Sequence, residues 1–416
     1  MSATSLLVDA TVVVSVSAAA AAAFAGRRRS AAGPGPGAGC GSGPAPDPGP
    51  GPGPARGSSG GRTRRGVPPE AALAAVTGLI YLNQVLFTVY VLRVHGGDTS
   101  FIARHLPAGW FALADGNPAL RALADRTPAP WMLAPSLLRV QAFLELPFVV
   151  LVFMVILRRL DPALHRRAAH HALTPLACAS YTAVFCIVEW DLRNPYTVQD
   201  IALRLASAAV TPRLVRATAG RGPDAPTVVT PRGLLVFTAD LWAIGHLVLT
   251  VYDTALLYNL GHLGAQLPWA AAALAVLAVT GRIPRGAVPA GPATTVLASG
   301  LGRALLLFYV PALAVRYGVT FGTPAVAAGA GALLLTAAAV HAVRSTGPRP
   351  AVAAGLALAL TTAAAAAAAT ARWTVGTTYE STLLRAAVAG AAAAIAVCAL
   401  TDGAAPHLRR SPSGPE

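Results

Sequence analysis

The most informative group of polar and ionisable side chains in this sequence stands at the end of an apolar run that breaks at Pro195. Two carboxylates, an indole and a guanidinium occur there within five positions. Polar groups at the mouth of a membrane-spanning helix are costly to bury and usually have a function. They predict the rim of a substrate-binding pocket, and the alternative is a local ion pair beside an aromatic-belt residue. The four residues are Glu189, Trp190, Asp191 and Arg193.

A second group of polar residues lies near the middle of four consecutive apolar runs. A bare carboxylate at the depth of Glu145 is costly unless it is protonated or paired, and His246 is the expected partner. A carboxylic acid beside an imidazole is suited to general acid–base catalysis, so these two residues are predicted as acid and base. The remaining members of the layer are predicted to bind substrate, or alternatively to join helices by hydrogen bonds. They are Asn83, Gln84, Gln141 and Tyr181.

The run that contains His246 carries two further carboxylates. Asp253 follows His246 by seven residues, which puts both on one helical stripe, whereas Asp240 faces elsewhere. Ionisable groups are rare inside membrane spans, so both carboxylates are predicted to take part in catalysis or in a proton path. Structural ion pairs are the alternative, with Arg139 or Arg303 as partners.

Other patterns predict neither a metal nor a cofactor. His165-x4-His170-His171 faintly resembles one histidine box of the membrane di-iron hydroxylases, but four nearby Arg residues would repel a cation. The chain has four Cys without a CxxC pair, so no zinc site or disulfide framework is indicated. The absence of a P-loop and of a dinucleotide fingerprint argues against an ATPase module in this chain.

The composition indicates an integral membrane protein. Of the 416 residues, 55% are hydrophobic and 12% are charged, and the mean hydropathy is +0.57. Soluble domains carry about 25% charged residues. Several apolar runs reach the roughly 20 residues that a helix needs to cross a bilayer. The predicted fold is an all-α membrane helix bundle with about ten spans (nine to eleven).

The basic charge is explained better by the membrane than by nucleic acid. The net charge is +15 and all 32 basic residues are Arg. They lie in short loops between apolar runs and not along one soluble face, as a nucleic-acid surface would require. They are therefore interpreted as cytoplasmic anchors in the plasma membrane, and the expected partners are the bilayer and a lipophilic small molecule, with no nucleic acid.

The chain divides into five segments of distinct composition. A run at 1–26 predicts a membrane anchor or a signal-like segment, and the Gly/Pro/Arg-rich residues 27–69 predict a disordered linker. Residues 70–261 hold most of the carboxylates and therefore the predicted site. The Ala/Gly-rich residues 262–405 are predicted to be a scaffold, and 406–416 a tail. The spans are expected at about 71–94, 133–157, 172–190, 233–260, 263–281, 294–316, 324–343, 351–371 and 381–400.

Two long connections interrupt the first half, at 95–131 and 191–232. The first contains Asp98, a possible outer-loop base of the kind that lipid-linked sugar transferases use. The second has apolar residues at helical spacing after Thr197, which suits a helix lying in the membrane interface.

The positions of the arginines conflict with this span list. Arg167 and Arg282 should both be cytoplasmic, yet three predicted spans separate them. Either residues 197–218 form an extra, sheltered crossing, or residues 263–281 fold back without spanning. The linker 27–69 and the C-terminus are predicted to be cytoplasmic.

The function that these residues favour is a membrane-embedded enzyme that acts on an isoprenoid or lipid-linked substrate by carboxylate/His acid–base chemistry. The alternatives are a proton-coupled transporter or permease, and a lipid-linked glycosyl-type transferase with Asp98 as its base.

Overall fold

The structure is a computed structural model, and it describes the greater part of residues 67–408. The predicted anchor at 1–26, nearly all of the linker and the span expected at 324–343 lie outside the described residues. The described ranges are 67–104, 113–114, 116–128, 134–192, 196–220, 229–256, 260–286, 289–307, 350–373 and 379–408.

The described residues form an all-α bundle, as the composition predicts. Proline is the first residue of half of the helices, where its missing N–H costs nothing and its fixed φ favours helix. A π-helical turn, Tyr252–Leu256, extends the helix Pro231–Val251, and a 3₁₀ turn, Leu260–His262, leads into the helix Leu263–Thr280. The helices are α1 (Pro69–His95), α2 (Ser100–Ala103), α3 (Pro118–Arg126), α4 (Ala134–Leu160), α5 (Pro162–His170), α6 (Leu173–Leu192), α7 (Thr197–Ala219), α8 (Pro231–Val251), α9 (Leu263–Thr280), α10 (Pro292–Leu307), α11 (Pro350–Trp373) and α12 (Tyr379–Leu408).

Five helical segments among the described residues are long and apolar enough to cross a membrane. They fall in α1, α4, α8, α9 and α11, close to the bounds predicted from hydropathy. Shorter apolar stretches lie in α6 and α12. An all-α membrane bundle is therefore supported, whereas the count of about ten spans stays a prediction.

Helix α4 is the axis of the bundle. From Gln141 to Leu160 nearly every side chain is buried, because α1, α6, α7 and α8 all pack around it. Its core residues include Phe148, Leu151, Met154 and Leu157, which are almost fully buried. A helix that is apolar on nearly all sides is expected to be buried, and α4 is buried among its neighbouring helices.

One end of the bundle is basic and tied together by ion pairs. Glu70 at the start of α1 accepts from Arg158 at the end of α4, at 2.6 Å. The guanidinium of Arg285, which follows α9, donates to the Arg159 carbonyl and lies 3.3 Å from Asp240. The segments around residues 159 and 285 therefore meet at the same end, which we call the basic end.

This contact favours one of the two alternatives from the sequence, an extra passage at 197–218. For residues 159 and 285 to meet at one end, the chain should traverse the bundle an even number of times between them. Helices α6, α8 and α9 are three such passages, so we expect α7 to be the fourth. At about 34 Å, its 23 residues match the roughly 30 Å of a hydrocarbon core.

The path of α7 agrees with this count. At its start, the Thr197 hydroxyl donates to the carbonyl of Glu189 near the end of α6. At its far end, α7 packs on α5, which precedes α6, and Val215 and Ala219 join the same core as Ala168 of α5. Helix α7 therefore runs antiparallel along α6. The expected helix in the interface is corrected to a helix inside the bundle, because its polar face is the buried one.

The end of α12 also lies near the basic end. Asp402 accepts hydrogen bonds from the backbone N–H groups of Ala293 and Thr294, both at 2.9 Å, in the first turn of α10. A carboxylate at the start of a helix accepts from backbone N–H groups that have no partner within the helix, and its negative charge complements the helix dipole. A Cβ on Gly291 would lie 2.3 Å from the Asp402 carboxyl carbon, so the close approach requires glycine. That this end faces the cytoplasm remains a prediction.

A topology measurement tests the passage of α7. We expect reporters fused after Gly220 and after Gly286 to have the sidedness of one fused after His171. Fusions after Gly96 and Gly261 should have the opposite sidedness. A Gly220 fusion that behaves like the Gly96 fusion would show that α7 does not cross.

The buried imidazole of His165 on α5 gives a second test. Burial, followed by the charges of Arg158, Arg166 and His170, lowers the pKa of His165 to about 4. The folded protein therefore keeps this imidazole neutral, while the unfolded chain takes up a proton below its ordinary pKa of about 6.5. Stability is complete above that pH and is lost as the pH falls towards 4, by about 3 kcal/mol at about 1.4 kcal/mol per pKa unit.

Thermal melting in detergent at pH 7 and pH 5 should show this loss in the wild type and a smaller one in His165→Gln. The control is His171→Gln, which alters an exposed imidazole directly after the same helix that is not among the charges acting on His165. An unchanged pH dependence in His165→Gln would contradict the assignment.

Candidate functional site

The centre of the candidate site is a buried guanidinium shared by two carboxylates. Arg204 of α7 donates through Nη1 to Oε2 of Glu145 on α4 at 3.1 Å, and through Nη2 to Oε1 of Glu189 on α6 at 2.8 Å. The three residues are 8%, 8% and 9% exposed in the order Arg204, Glu145, Glu189. One side chain thus joins three helices by charge-assisted hydrogen bonds, the strong class of such bonds. We call these three residues the Arg204 cluster.

Two aromatic residues of α6 complete the surroundings of the cluster. The Tyr181 hydroxyl donates to Oε1 of Glu145 at 2.8 Å, so both carboxylate oxygens have a donor. The Phe185 ring stacks on Tyr181 and lies 4.2 Å from the guanidinium carbon of Arg204. A desolvated cation over an aromatic face is favourable, so this ring helps to compensate for burial of the charge.

The backbone of α4 is opened beside Glu145 by a proline. Pro147 has no N–H, so it leaves the carbonyl of Phe143 without its helical donor. The Ser207 hydroxyl of α7 donates to that carbonyl at 2.7 Å. The proline therefore creates an acceptor that ties α7 to α4 one turn away from Arg204.

The predicted neutral layer lies next to the cluster along α4. Gln141, one turn before Glu145, accepts from Asn83 of α1 at 3.3 Å and donates to the carbonyl of Ala255 at 3.4 Å. Ala255 belongs to the π-helical turn, where carbonyls lose their regular partners. The Gln84 amide is also buried there, and its Nε2 has no hydrogen-bond partner among the described residues.

The structure does not bring His246 to Glu145, which corrects the expected acid–base pair. The contacts of His246 are the Trp242 carbonyl, at 3.0 Å from Nδ1, and the rings of Trp242 and Trp269. Depth alone suggested the pair, and depth does not fix the direction in which a side chain points. His246 therefore lies on a different face of the bundle, next to α9.

Asp240 belongs to the basic end. It is fully buried, it accepts from Thr280 at 2.5 Å, and Arg159 and Arg285 lie within 3.7 Å and 3.3 Å of its carboxylate. A buried carboxylate with two guanidinium partners acts as a structural tie. This is the ion-pair alternative from the sequence, with different arginines as partners.

Asp253 lies at the opposite end of α8, in the π-helical turn. It accepts from Gln266 at 2.6 Å, and His262 is 3.5 Å away. The structure therefore brings neither Asp240 nor Asp253 into the Arg204 cluster.

Asp98 is an exposed residue after α1. The Ser100 hydroxyl and backbone N–H both donate to it, at 2.7 and 2.8 Å. These bonds lower the pKa of the Asp98 carboxyl and make it a weaker base. The contact supports a local capping role.

The predicted rim is described in part. Trp190 is 64% exposed beside Glu189, as an aromatic residue at a membrane boundary would be. Arg193 and the side chain of Asp191 lie outside the described residues. Of the predicted set, the structure thus joins Glu145, Glu189 and Tyr181.

Arg204 is not among the residues that the sequence predicted for the site. A signal for it was present, because Thr197, Asp200, Arg204, Ser207 and Thr211 follow a spacing of three and four. A polar stripe of that kind on an otherwise apolar helix indicates a helix that buries its polar side.

Comparison of the chain with known protein families, characterised proteins and solved structures gives no match. Among the described residues, no group of three His, Cys, Asp or Glu is placed to hold a metal ion. Function must therefore be argued from the Arg204 cluster and the helices that carry it.

The contribution of Arg204 to the free energy of unfolding can be measured directly. Arg204→Gln removes the cation that Glu145 and Glu189 share, so we expect a loss of about 3 kcal/mol or more of stability. Arg213→Gln removes an exposed cation from the same helix and should change stability by less than about 0.5 kcal/mol. Denaturation in detergent measures both, and the double variant Glu145→Gln/Arg204→Gln should recover part of the loss. Equal stability of the two single variants would contradict the role of Arg204.

Proposed function

We propose that the protein is a proton-coupled membrane transporter in which Glu145 takes up and releases the proton. The observation that supports this proposal is the single guanidinium that binds carboxylates from two different helices. Ionisable groups inside a membrane protein are typical of proton relays and solute paths. Glu145, Glu189 and Arg204 are the residues on which the coupling depends.

The cluster has two arrangements that differ by one proton. While Glu145 is ionised, Arg204 joins α4, α6 and α7. When Glu145 binds a proton, its attraction for the guanidinium falls and Arg204 stays with Glu189. Protonation therefore weakens the α4–α7 contact and leaves the α6–α7 contact in place. A local charge change that alters one helix contact is the kind of event that biases a two-state transporter.

The helices around the cluster contain points at which they can bend. Pro147 lies in α4 half a turn after Glu145, and Pro212 lies in α7 two turns after Arg204. The π-helical turn Tyr252–Leu256 ends α8 beside Gln141. Prolines and π-turns are the usual causes of helix kinks, and interrupted helices are common at transporter sites. This arrangement supports movement of α7 relative to α4.

The enzyme that the sequence favoured is the second candidate. Its carboxylate–imidazole pair is not formed, which removes its main support. One contact still favours it, because the Tyr181 phenol and the Glu145 carboxylate are within hydrogen-bond distance and could act as acid and base on a lipophilic substrate. A lipid-linked or isoprenoid substrate would then have to reach Glu145 from the bilayer.

Everted membrane vesicles from cells that produce the protein test the transporter. An imposed pH gradient should make wild-type vesicles accumulate or lose at least one solute, detected by mass spectrometry of the vesicle contents. Glu145→Gln keeps the shape and hydrogen bonding of the side chain but removes its titration, so the gradient-dependent change should disappear.

Asp125→Asn is the control, since it removes an exposed carboxylate on α3. The proposal is wrong if wild-type and Glu145→Gln vesicles have the same contents at equal protein levels. A difference confined to the lipid extract, independent of the gradient, would support the enzyme.

A further inference from the structure

Helix α7 carries a row of buried residues from one of its ends to the other, which we call the α7 stripe. Its members follow one another at intervals of three or four residues, so they share one face. Each is at most 9% exposed. All but one are polar, while Val198, Leu205 and Val210 on the outer side are exposed. The stripe consists of Thr197, Asp200, Arg204, Ser207, Thr211, Val215 and Thr218.

Between Val198 and Val210 the outward side of α7 is mostly apolar, and the exposed Arg213 and Arg216 lie only in its last two turns at the basic end. The polar face needs protein partners, since each unsatisfied group in hydrocarbon costs several kcal/mol. The stripe therefore marks an internal polar line across the bundle. It begins at the end of the bundle opposite the basic end, where Thr197 is bonded to Glu189, and it ends beside α5 at the basic end.

Two hydroxyls of the stripe lie between the Arg204 cluster and the basic end, and each donates to a backbone carbonyl. Ser207 donates to the Phe143 carbonyl at 2.7 Å, and Thr211 donates to the Ser207 carbonyl at 2.7 Å. A hydroxyl has one donor and two acceptor positions, so each oxygen can also accept a proton. One full turn beyond Thr211, Val215 interrupts the line, and its side chain is completely buried.

We propose that the α7 stripe is the path by which protons pass between the Arg204 cluster and the basic end, and that Val215 is its gate. The proposal rests on the proposed proton coupling at Glu145. In each step a hydroxyl rotates away from the carbonyl that it binds, accepts a proton on a lone pair and releases its own proton to a water molecule that bridges to the next hydroxyl. No group is oxidised or consumed. Val215 has no such oxygen, so the line conducts only when α7 moves or when water enters beside this residue.

The direct test converts the gate residue into a member of the line. Val215→Thr preserves the shape of the side chain and supplies the missing hydroxyl. In proteoliposomes with a potassium diffusion potential, a pH-sensitive dye inside the vesicles should report faster proton entry than for the wild type. We expect an increase of about tenfold, as for a barrier lowered by about 1.4 kcal/mol.

Two matched variants establish that the leak follows the stripe. Val76→Thr places the same hydroxyl in a buried position of the same core on α1, and it should leave the proton rate at the wild-type value. Thr211→Val, added to Val215→Thr, removes the preceding hydroxyl and should abolish the leak. Equal rates for Val215→Thr and Val76→Thr, or a leak that persists without the Thr211 hydroxyl, would overturn the proposal.

Val215→Ala provides a second way to open the gate, because its smaller side chain makes room for water. If Val215→Thr cannot be reconstituted into vesicles, Val215→Ala should admit protons faster than the wild type. A Val215→Ala protein with the wild-type proton rate would also overturn the proposal. A leak that is unaffected by Glu145→Gln would support the path while rejecting Glu145 as the coupling residue. The failure of the path and the failure of the proposed function are therefore distinguishable.

Discussion

The shared guanidinium of Arg204 is the interaction on which the arrangement of α4, α6 and α7 depends. Arg204 is only 8% exposed, so its charge is stable only while the two carboxylates remain within hydrogen-bond distance. That constraint determines which face of α7 is buried. Once Arg204 faces inward, the residues one turn away on either side must face inward as well, and Asp200 and Ser207 are both polar.

The passage of α7 follows from the same constraint. Helix α7 is not among the described helices that are apolar enough to span a membrane, because its charged residues lower its mean hydropathy. Mean hydropathy counts every residue of a helix alike, whereas the charged Asp200 and Arg204 of α7 are buried against protein and Val198 and Leu205 face outward. The contacts at the basic end then make the number of passages even. A charged helix can cross a membrane when its neighbours supply the partners that lipid lacks.

These facts show how far the sequence alone could lead. Apolar runs predict the long helices of α1, α4, α8 and α9 well, because length and hydropathy are properties of one segment. The depth of Glu145 and Tyr181 was also predictable from their positions in those runs. The partner of Glu145 was not, because it depends on how three helices are rotated about their axes. His246 has a suitable depth, but its ring faces Trp242 and Trp269.

The two halves of the described chain differ in what holds their helices together. In α11 and α12 the contacts depend on small residues: a Cβ on Gly355 would lie 2.5 Å from Thr401, and one on Gly390 would lie 3.1 Å from the Ala363 carbonyl. Close backbone approach of this kind leaves little freedom for relative movement. Around α7 hydrogen bonds hold the helix to its neighbours, from Arg204 to Glu145 and Glu189 and from Ser207 to the Phe143 carbonyl. Such bonds can break one at a time, so movement within the described bundle is expected at α7 rather than between the closely packed α11 and α12.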